Sequence, residues 1–119
     1  MALPSDDSLL LLHNPRCSKS RAAKALLEAQ GAEFALRLYL EEPLSRAELD
    51  ELARRLGRPV RDWVRRGEAA FQAADLGDAA DSELLDAVAA HPILLERPIA
   101  VRGTRAVVGR PPEEIRKLL

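Results

Sequence analysis

The stretch His13-Asn14-Pro15-Arg16-Cys17-Ser18-Lys19-Ser20-Arg21 constrains the fold more than any other part of the chain. It follows the apolar run Leu9-Leu10-Leu11-Leu12 and leads into the helical pattern Ala22-Ala23-Lys24-Ala25-Leu26-Leu27, so the local order is strand, loop, helix. Pro15 ends strand pairing because it lacks an amide donor. Ser18 or Ser20 is expected to cap the helix, since a short hydroxyl accepts a bond from a free amide of the first turn. Cys17, the only cysteine, then falls at the helix N-terminus. Free amides and the macrodipole place partial positive charge there, and Arg16, Lys19 and Arg21 add formal charge, so the thiolate is favoured over the thiol. Such a loop can bind an anion and also attack it. The alternative is that a lone cysteine is a small buried hydrophobe. Cations as close as Arg16, Lys19 and Arg21 argue against it, because each would need a partner to be buried beside the sulfur.

The 119 residues are read as one domain, 1–119, long enough to bury a core without disulfides or a structural metal. One cysteine forms no internal disulfide. Residues Met1 to Ser8 carry Asp6 and Asp7 where a signal peptide would be basic, and no apolar run reaches membrane-spanning length, so a cytoplasmic protein without a membrane partner is expected. With 18 basic and 19 acidic side chains there is no electrostatic footprint for nucleic acid. The scarce aromatics, Phe34, Tyr39, Trp63 and Phe71, make base-stacking platforms an unpromising reading. Two histidines and one cysteine give no metal-ligand spacing.

Along the chain, the first helix is expected from about Ser20 to Gln30, stopped by Gly31. A strand follows at Glu33 to Tyr39, where Phe34, Leu36 and Leu38 alternate with Ala35, Arg37 and Tyr39. Strand, helix and strand in this length imply a right-handed parallel crossover. Ser45 and Glu48 form a capping box that opens a helix closed by Gly57. Pro59 permits a short helix, Val60 to Arg65, and Asp81 or Ser82 opens another that ends before Pro92. Between them, Ala-rich Gly67 to Ala80 reads as a loosely packed connection. Pro98-Ile99-Ala100-Val101 and Ala106-Val107-Val108 then form a hairpin around Gly103, and Pro111-Pro112 leads into a last helix, Glu113 to Leu119. The order is that of an α/β protein with a thioredoxin-like mixed four-stranded sheet and a three-helix insertion.

Three arginines stand out by context. Arg97 precedes Pro98 at a strand start, Arg110 precedes Pro111 at the end of the hairpin, and Arg65 ends the short helix after Trp63-Val64. In the expected sheet Arg97 and Arg110 can converge on Cys17, and guanidinium groups offer paired donors to tetrahedral oxygens. The bland reading makes each a solvated surface charge, as Arg54 and Arg55 are expected to be. His13 is a candidate base or hydrogen-bond partner for the thiol, or else a structural strand-end residue. His91 reads as a helix-end residue. The isomer of the Arg97-Pro98 bond is left open.

The loop His13–Arg21, then Tyr39-Leu40-Glu41, then His91-Pro92-Ile93-Leu94-Leu95-Glu96-Arg97-Pro98-Ile99 and Gly109-Arg110-Pro111-Pro112-Glu113, resemble the glutaredoxin-coupled arsenate reductase family nearly end to end. The chain looks like the family's shorter members, which lack a C-terminal extension, and its loop is more basic than in longer forms. The resemblance implies that Cys17 is the nucleophile, that Arg65, Arg97 and Arg110 surround the oxyanion, that His13 is the family's histidine, and that Ser20 hydrogen-bonds the thiolate. It implies reduction of arsenate to arsenite through a covalent Cys17 thiol-arsenate adduct, with glutathione as co-substrate, glutaredoxin as partner and no bound cofactor. The fold is also similar to redox-sensing regulators that bind RNA polymerase. Those use a two-cysteine switch, which Ser20 here rules out, so the second reading is a polymerase-binding regulator lacking that switch. A thiol reductase acting on another substrate is the third reading.

Overall fold

The computed structural model describes residues 3–119. Strand β1 (Leu9–His13) is followed by helix α1 (Ser18–Ala29) and strand β2 (Ala35–Leu38). Helix α2 (Arg46–Leu56), a 3-10 turn (Val60–Trp63), short helix α3 (Ala69–Ala73), helix α4 (Asp81–Ala90) and a second 3-10 turn (Pro92–Leu94) come next. Strands β3 (Ile99–Arg102) and β4 (Arg105–Val108) and a 3-10 helix (Pro112–Leu118) complete the chain.

The sheet order is β2-β1-β3-β4, with β1 parallel to β2 and antiparallel to β3. This is the mixed four-stranded sheet that the element order implies. Strand β1 is interior and every one of its residues is buried. Its side chains divide between two cores. Leu10 and Leu12 join Ile99, Val101 and the helices inserted between β2 and β3, while Leu9 and Leu11 join Ala23 and Leu27 of α1 and Ile115 and Leu118 of the last 3-10 helix. A strand covered on both faces reads as an unbroken apolar run, which is why Leu9–Leu12 shows no alternation.

Several boundaries and faces differ from expectation. Helix α1 begins at Ser18, with Cys17 as its N-cap residue and no capping side-chain hydrogen bond, so neither Ser18 nor Ser20 caps it. Strand β2 is shorter than expected; its buried residue is Arg37, Tyr39 just past its end is buried too, and Leu36 is 41% exposed. It is an edge strand, and what covers it is the α2 side: Arg37 lies opposite Leu12, and Glu48 of α2 meets it there with a buried carboxylate. Residues 67–80 are not merely a connection, since α3 sits within them and buries Phe71, and Leu76 follows it into the core. The last helix is 3-10 rather than α and begins at Pro112. Arg54 is exposed as expected, whereas the Arg55 side chain is only 8% exposed and donates to the Pro4 carbonyl.

Two glycines are required where they stand. Gly103 turns the β3-β4 hairpin at φ +60°, in the left-handed region that side chains disfavour. Gly109 allows a close approach: a Cβ there would lie 2.8 Å from both Pro98 Cγ and Ile115 Cδ1, and its amide donates to the Pro98 carbonyl at 2.8 Å. That contact holds Arg110 beside Arg97. Both the Arg97-Pro98 and Arg110-Pro111 bonds are cis.

Candidate active site

The loop between β1 and α1 is folded by Asn14, a residue that sequence reasoning passed over. Its carbonyl accepts the Cys17 amide at 3.0 Å, its side-chain Oδ1 accepts the Arg16 amide at 3.0 Å, and its own amide donates to Ser20 Oγ at 3.0 Å. An Asx turn of this kind is common where a short polar side chain sits at a loop start, and that was the available signal. Cys17 is thereby presented, half-buried, at the first turn of α1.

Burial is the largest single influence on the Cys17 thiol and disfavours its ionisation, yet the net shift is downward. The amides of Ser20 and Lys19, together with hydrogen bonding and charge from the Arg97 guanidinium, outweigh burial and favour the thiolate. The cations expected to do this from sequence are not the ones that act. Arg16, Lys19 and Arg21 are exposed, and Arg21 turns back to the Pro15 carbonyl at 2.9 Å. The relevant charge comes from a residue 80 positions away in sequence, brought in by the β1-β3 pairing.

His13 and Ser20 lie directly beneath the loop. His13 Nδ1 is hydrogen-bonded to Ser20 Oγ at 2.7 Å, with both residues buried. Burial, reinforced by Lys24 and Arg21, pushes the His13 pKa below its ordinary 6.5, so the ring is neutral at neutral pH. The Ser20 hydroxyl is thus tied to His13 and Asn14, and the part of Ser20 that bears on the sulfur is its backbone amide.

The three arginines converge at the same end of the sheet. Arg65 comes from the insertion, whose segment pairs with the residues before β3 through a single bridge between Val64 and Leu95. Arg97 carries the most enclosed of the three side chains, at 13% exposure, and its Nε and Nη1 have no hydrogen-bond partner among the described residues. Arg110 Nε donates to the Arg97 carbonyl at 2.9 Å. The Tyr39 hydroxyl is buried without a partner among the described residues and stays protonated, its pKa pushed up to about 12 chiefly by burial, with Arg97, Asn14 and Cys17 around it. His91 stands at the end of α4, apart from this cluster. An open cleft of about 810 Å³ between Asp6, Glu33, Arg102 and Leu119 lies at the opposite end of the strands and away from the thiol.

The arrangement unites an ionisable thiol, helix-start amides and a buried guanidinium with free donors. A profile of the ArsC family matches residues 12–118, which is almost the whole chain. This chain belongs to the ArsC family. An arsenate reductase of Haemophilus influenzae is 39% identical over 115 residues, covering 94% of this chain and 99% of that protein. An uncharacterised Escherichia coli protein, YfgD, is 40% identical over 112 residues, covering 92% of this chain and 94% of that one. Among solved structures, an arsenate reductase from Vibrio cholerae superposes with a TM-score of 0.90 at 43% identity, covering 96% of this chain and 99% of the other. The ArsC match and this superposition make the mixed sheet thioredoxin-like, with the helical insertion in the expected place.

A depressed thiol pKa has a direct kinetic consequence. Thiolate accumulates as pH rises through the pKa, so iodoacetamide alkylation of Cys17 is expected to reach half its maximal rate at a lower pH than alkylation of a free thiol does. Arg97→Ala is expected to move that midpoint upward, and a midpoint unchanged by the substitution would mean that Arg97 does not act on the sulfur.

Proposed function

We propose that this protein reduces arsenate to arsenite with electrons from glutathione and glutaredoxin. The observation that carries the reading is the Cys17 sulfur at the start of α1 beside Arg97, whose Nε and Nη1 are buried and unpartnered among the described residues. Buried donors without acceptors are costly, and a tetrahedral oxyanion supplies what they lack. In this reading Arg65, Arg97 and Arg110 hold the oxyanion while the Cys17 thiolate attacks arsenic and displaces one oxygen as water, giving a covalent thiol-arsenate adduct. Glutathione attacks the adduct and glutaredoxin completes the reduction. Over the cycle two thiols become a disulfide, arsenate takes the electron pair, and one oxygen leaves as water. The helix-start amides of Lys19 and Ser20 keep the sulfur ionised, and neutral His13 holds the loop through Ser20. The relatives named arsenate reductase support the same substrate. Electrons drawn from glutathione fit a protein of the reducing cytoplasm.

The test is arsenate-dependent NADPH consumption with glutathione, glutaredoxin and glutathione reductase. Arg97→Ala is expected to raise KM for arsenate roughly 10- to 100-fold, the loss of a charge-assisted bond worth about 1.5–3 kcal/mol. Arg54→Ala removes an exposed arginine paired with Glu51 and is expected to leave KM within about twofold. Equal effects of the two would mean that no oxyanion cluster exists. Fast alkylation of Cys17 with no arsenate turnover would instead indicate a thiol reductase for another substrate.

A further inference from the structure

Two carboxylates stand inside the arginine cluster. Glu96 Oε1 accepts from Arg65 Nη1 at 3.1 Å and from the Arg97 amide at 3.1 Å, and lies 2.9 Å from Arg110 Nε. Glu68 Oε1 accepts from Arg65 Nε at 2.9 Å and lies 4.0 Å from Arg97 Nη1. Glu96 is 20% exposed and Glu68 27%, so both work in a partly dried environment where charge interactions are stronger than at a free surface. One oxygen of Glu96 therefore touches all three arginines, at two guanidinium groups and one backbone amide.

The backbone explains how. The Arg65 amide donates to the Leu94 carbonyl at 2.7 Å, and the Glu96 amide donates to the Trp63 carbonyl at 3.0 Å, on either side of the Val64-Leu95 bridge. These bonds fix the insertion in register with the segment entering β3. Arg65 and Glu96, 31 positions apart in sequence, are thus side by side. The result is unequal arginines. Arg65 and Arg110 are engaged by carboxylate, and Arg97 alone keeps buried donors unmatched among the described residues.

We propose that Glu96, assisted by Glu68, is a positioning residue: its carboxylate braces Arg65 and Arg110 around Arg97, so that the oxyanion meets guanidinium groups already in place. The inference rests on the oxyanion-binding reading above and assigns the cluster its architecture. Long arginine side chains lose rotamer freedom when they are ordered around a ligand, and a carboxylate that orders them beforehand removes that cost from binding. A competing role predicts the opposite sign. If Glu96 merely occupied the oxyanion's place, removing it would tighten anion binding.

Charge and positioning separate in a comparison of Glu96→Gln with Glu96→Ala. Both variants lose the same negative charge. Only Gln keeps an acceptor where Oε1 stands, and its NH2 can take the place of Oε2, which has no hydrogen bond among the described residues. The measurements are the Cys17 alkylation rate against pH and the concentration of arsenate, or of inorganic phosphate, that half-protects Cys17 from iodoacetamide. Glu96→Ala is expected to need about tenfold more anion than Glu96→Gln, as geometric misplacement of binding groups costs one to two orders of magnitude. Its thiol pKa is expected to lie above that of Glu96→Gln, because Arg97 loses the anchor at its amide. Equal values in the two variants, or tighter anion binding in Glu96→Ala, would overturn the proposal. Glu96→Asp keeps the charge but withdraws the carboxylate by one methylene, so it is expected to behave like Ala, and wild-type behaviour would likewise overturn the brace. If neither anion protects the wild-type thiol, the oxyanion reading fails, and the pKa comparison alone decides whether Glu96 positions Arg97.

Discussion

Replacing Cys17 with Ser is expected to abolish the proposed glutathione- and glutaredoxin-dependent arsenate turnover, by about 10³-fold or more, while the chain stays folded. The loop stabilises a sulfur anion through the Ser20 and Lys19 amides and the Arg97 guanidinium. A serine hydroxyl in the same place remains protonated at neutral pH and also lacks the polarisable sulfur that bonds to arsenic in the proposed mechanism. The loop itself does not depend on the thiol: Asn14 accepts the Cys17 amide through its carbonyl, and the Cys17 carbonyl accepts the Arg21 amide at 3.0 Å. A change in stability within about 1 kcal/mol is therefore expected, as is usual for a half-exposed substitution that leaves backbone bonds intact. Thermal unfolding and the coupled NADPH assay, run on the same preparations, check both halves. Residual turnover within tenfold of wild type would show that the electron pair reaches arsenate without passing through Cys17. A large loss of stability would mean that the inactivity says nothing about chemistry.

The sequence showed a good part of this site because local physics determined that part. Leu9–Leu12 read as a strand since both its faces are covered. The Ser45-Glu48 capping box is present with both of its bonds, and Gly103 turns the hairpin as its backbone freedom implies. What was hidden depends on pairing between distant segments. The charge at the sulfur was assigned to Arg16, Lys19 and Arg21 because they are neighbours in sequence, but it is supplied by Arg97 across the sheet. Glu68 and Glu96 carry no signal of their own in the sequence, since nothing in their spacing announces the Val64-Leu95 bridge that sets them among the arginines. Alternation in β2 gave a one-sided strand but not which side is inward. Arg37 and Tyr39 won that place because α2 brings a carboxylate to the first, and the core around Leu49 and Leu52 encloses the second.

That inward arginine sets the largest stability effect expected in the molecule. Arg37 and Glu48 are each 6% exposed and form a two-pronged ion pair, with Arg37 Nη2 to Glu48 Oε1 at 3.0 Å and Nη1 to Oε2 at 2.5 Å. The guanidinium also donates to the Glu42 carbonyl at 3.0 Å and the Pro43 carbonyl at 2.8 Å, so each of its three nitrogens is engaged. Glu48→Gln leaves a permanent positive charge buried against an amide, and such broken pairs cost about 3–5 kcal/mol. For a domain whose total stability is about 5–15 kcal/mol, this is a fall in Tm of roughly 10–20 °C. The capping box is not the cause, because Gln still accepts the Ser45 amide, and Ser45→Ala is expected to cost only about 1 kcal/mol. Replacing both partners with apolar residues, Arg37→Met with Glu48→Leu, is expected to be milder than Glu48→Gln alone, since no charge is then left unpaired. Denaturant unfolding of the three variants decides it, and a double variant less stable than Glu48→Gln would show that the pair itself, rather than the avoidance of a lone buried charge, holds β2 to α2. The pH dependence has a fixed sign. Burial opposes ionisation of Glu48, but hydrogen bonding from Arg37 and the Ser45 amide outweighs it and depresses the pKa below the ordinary 4.5. The unfolded chain thus binds the proton first as pH falls. The stability contributed by the pair is complete above about pH 4.5 and is lost as pH drops through the lower folded value, a slope that Glu48→Gln is expected to reduce.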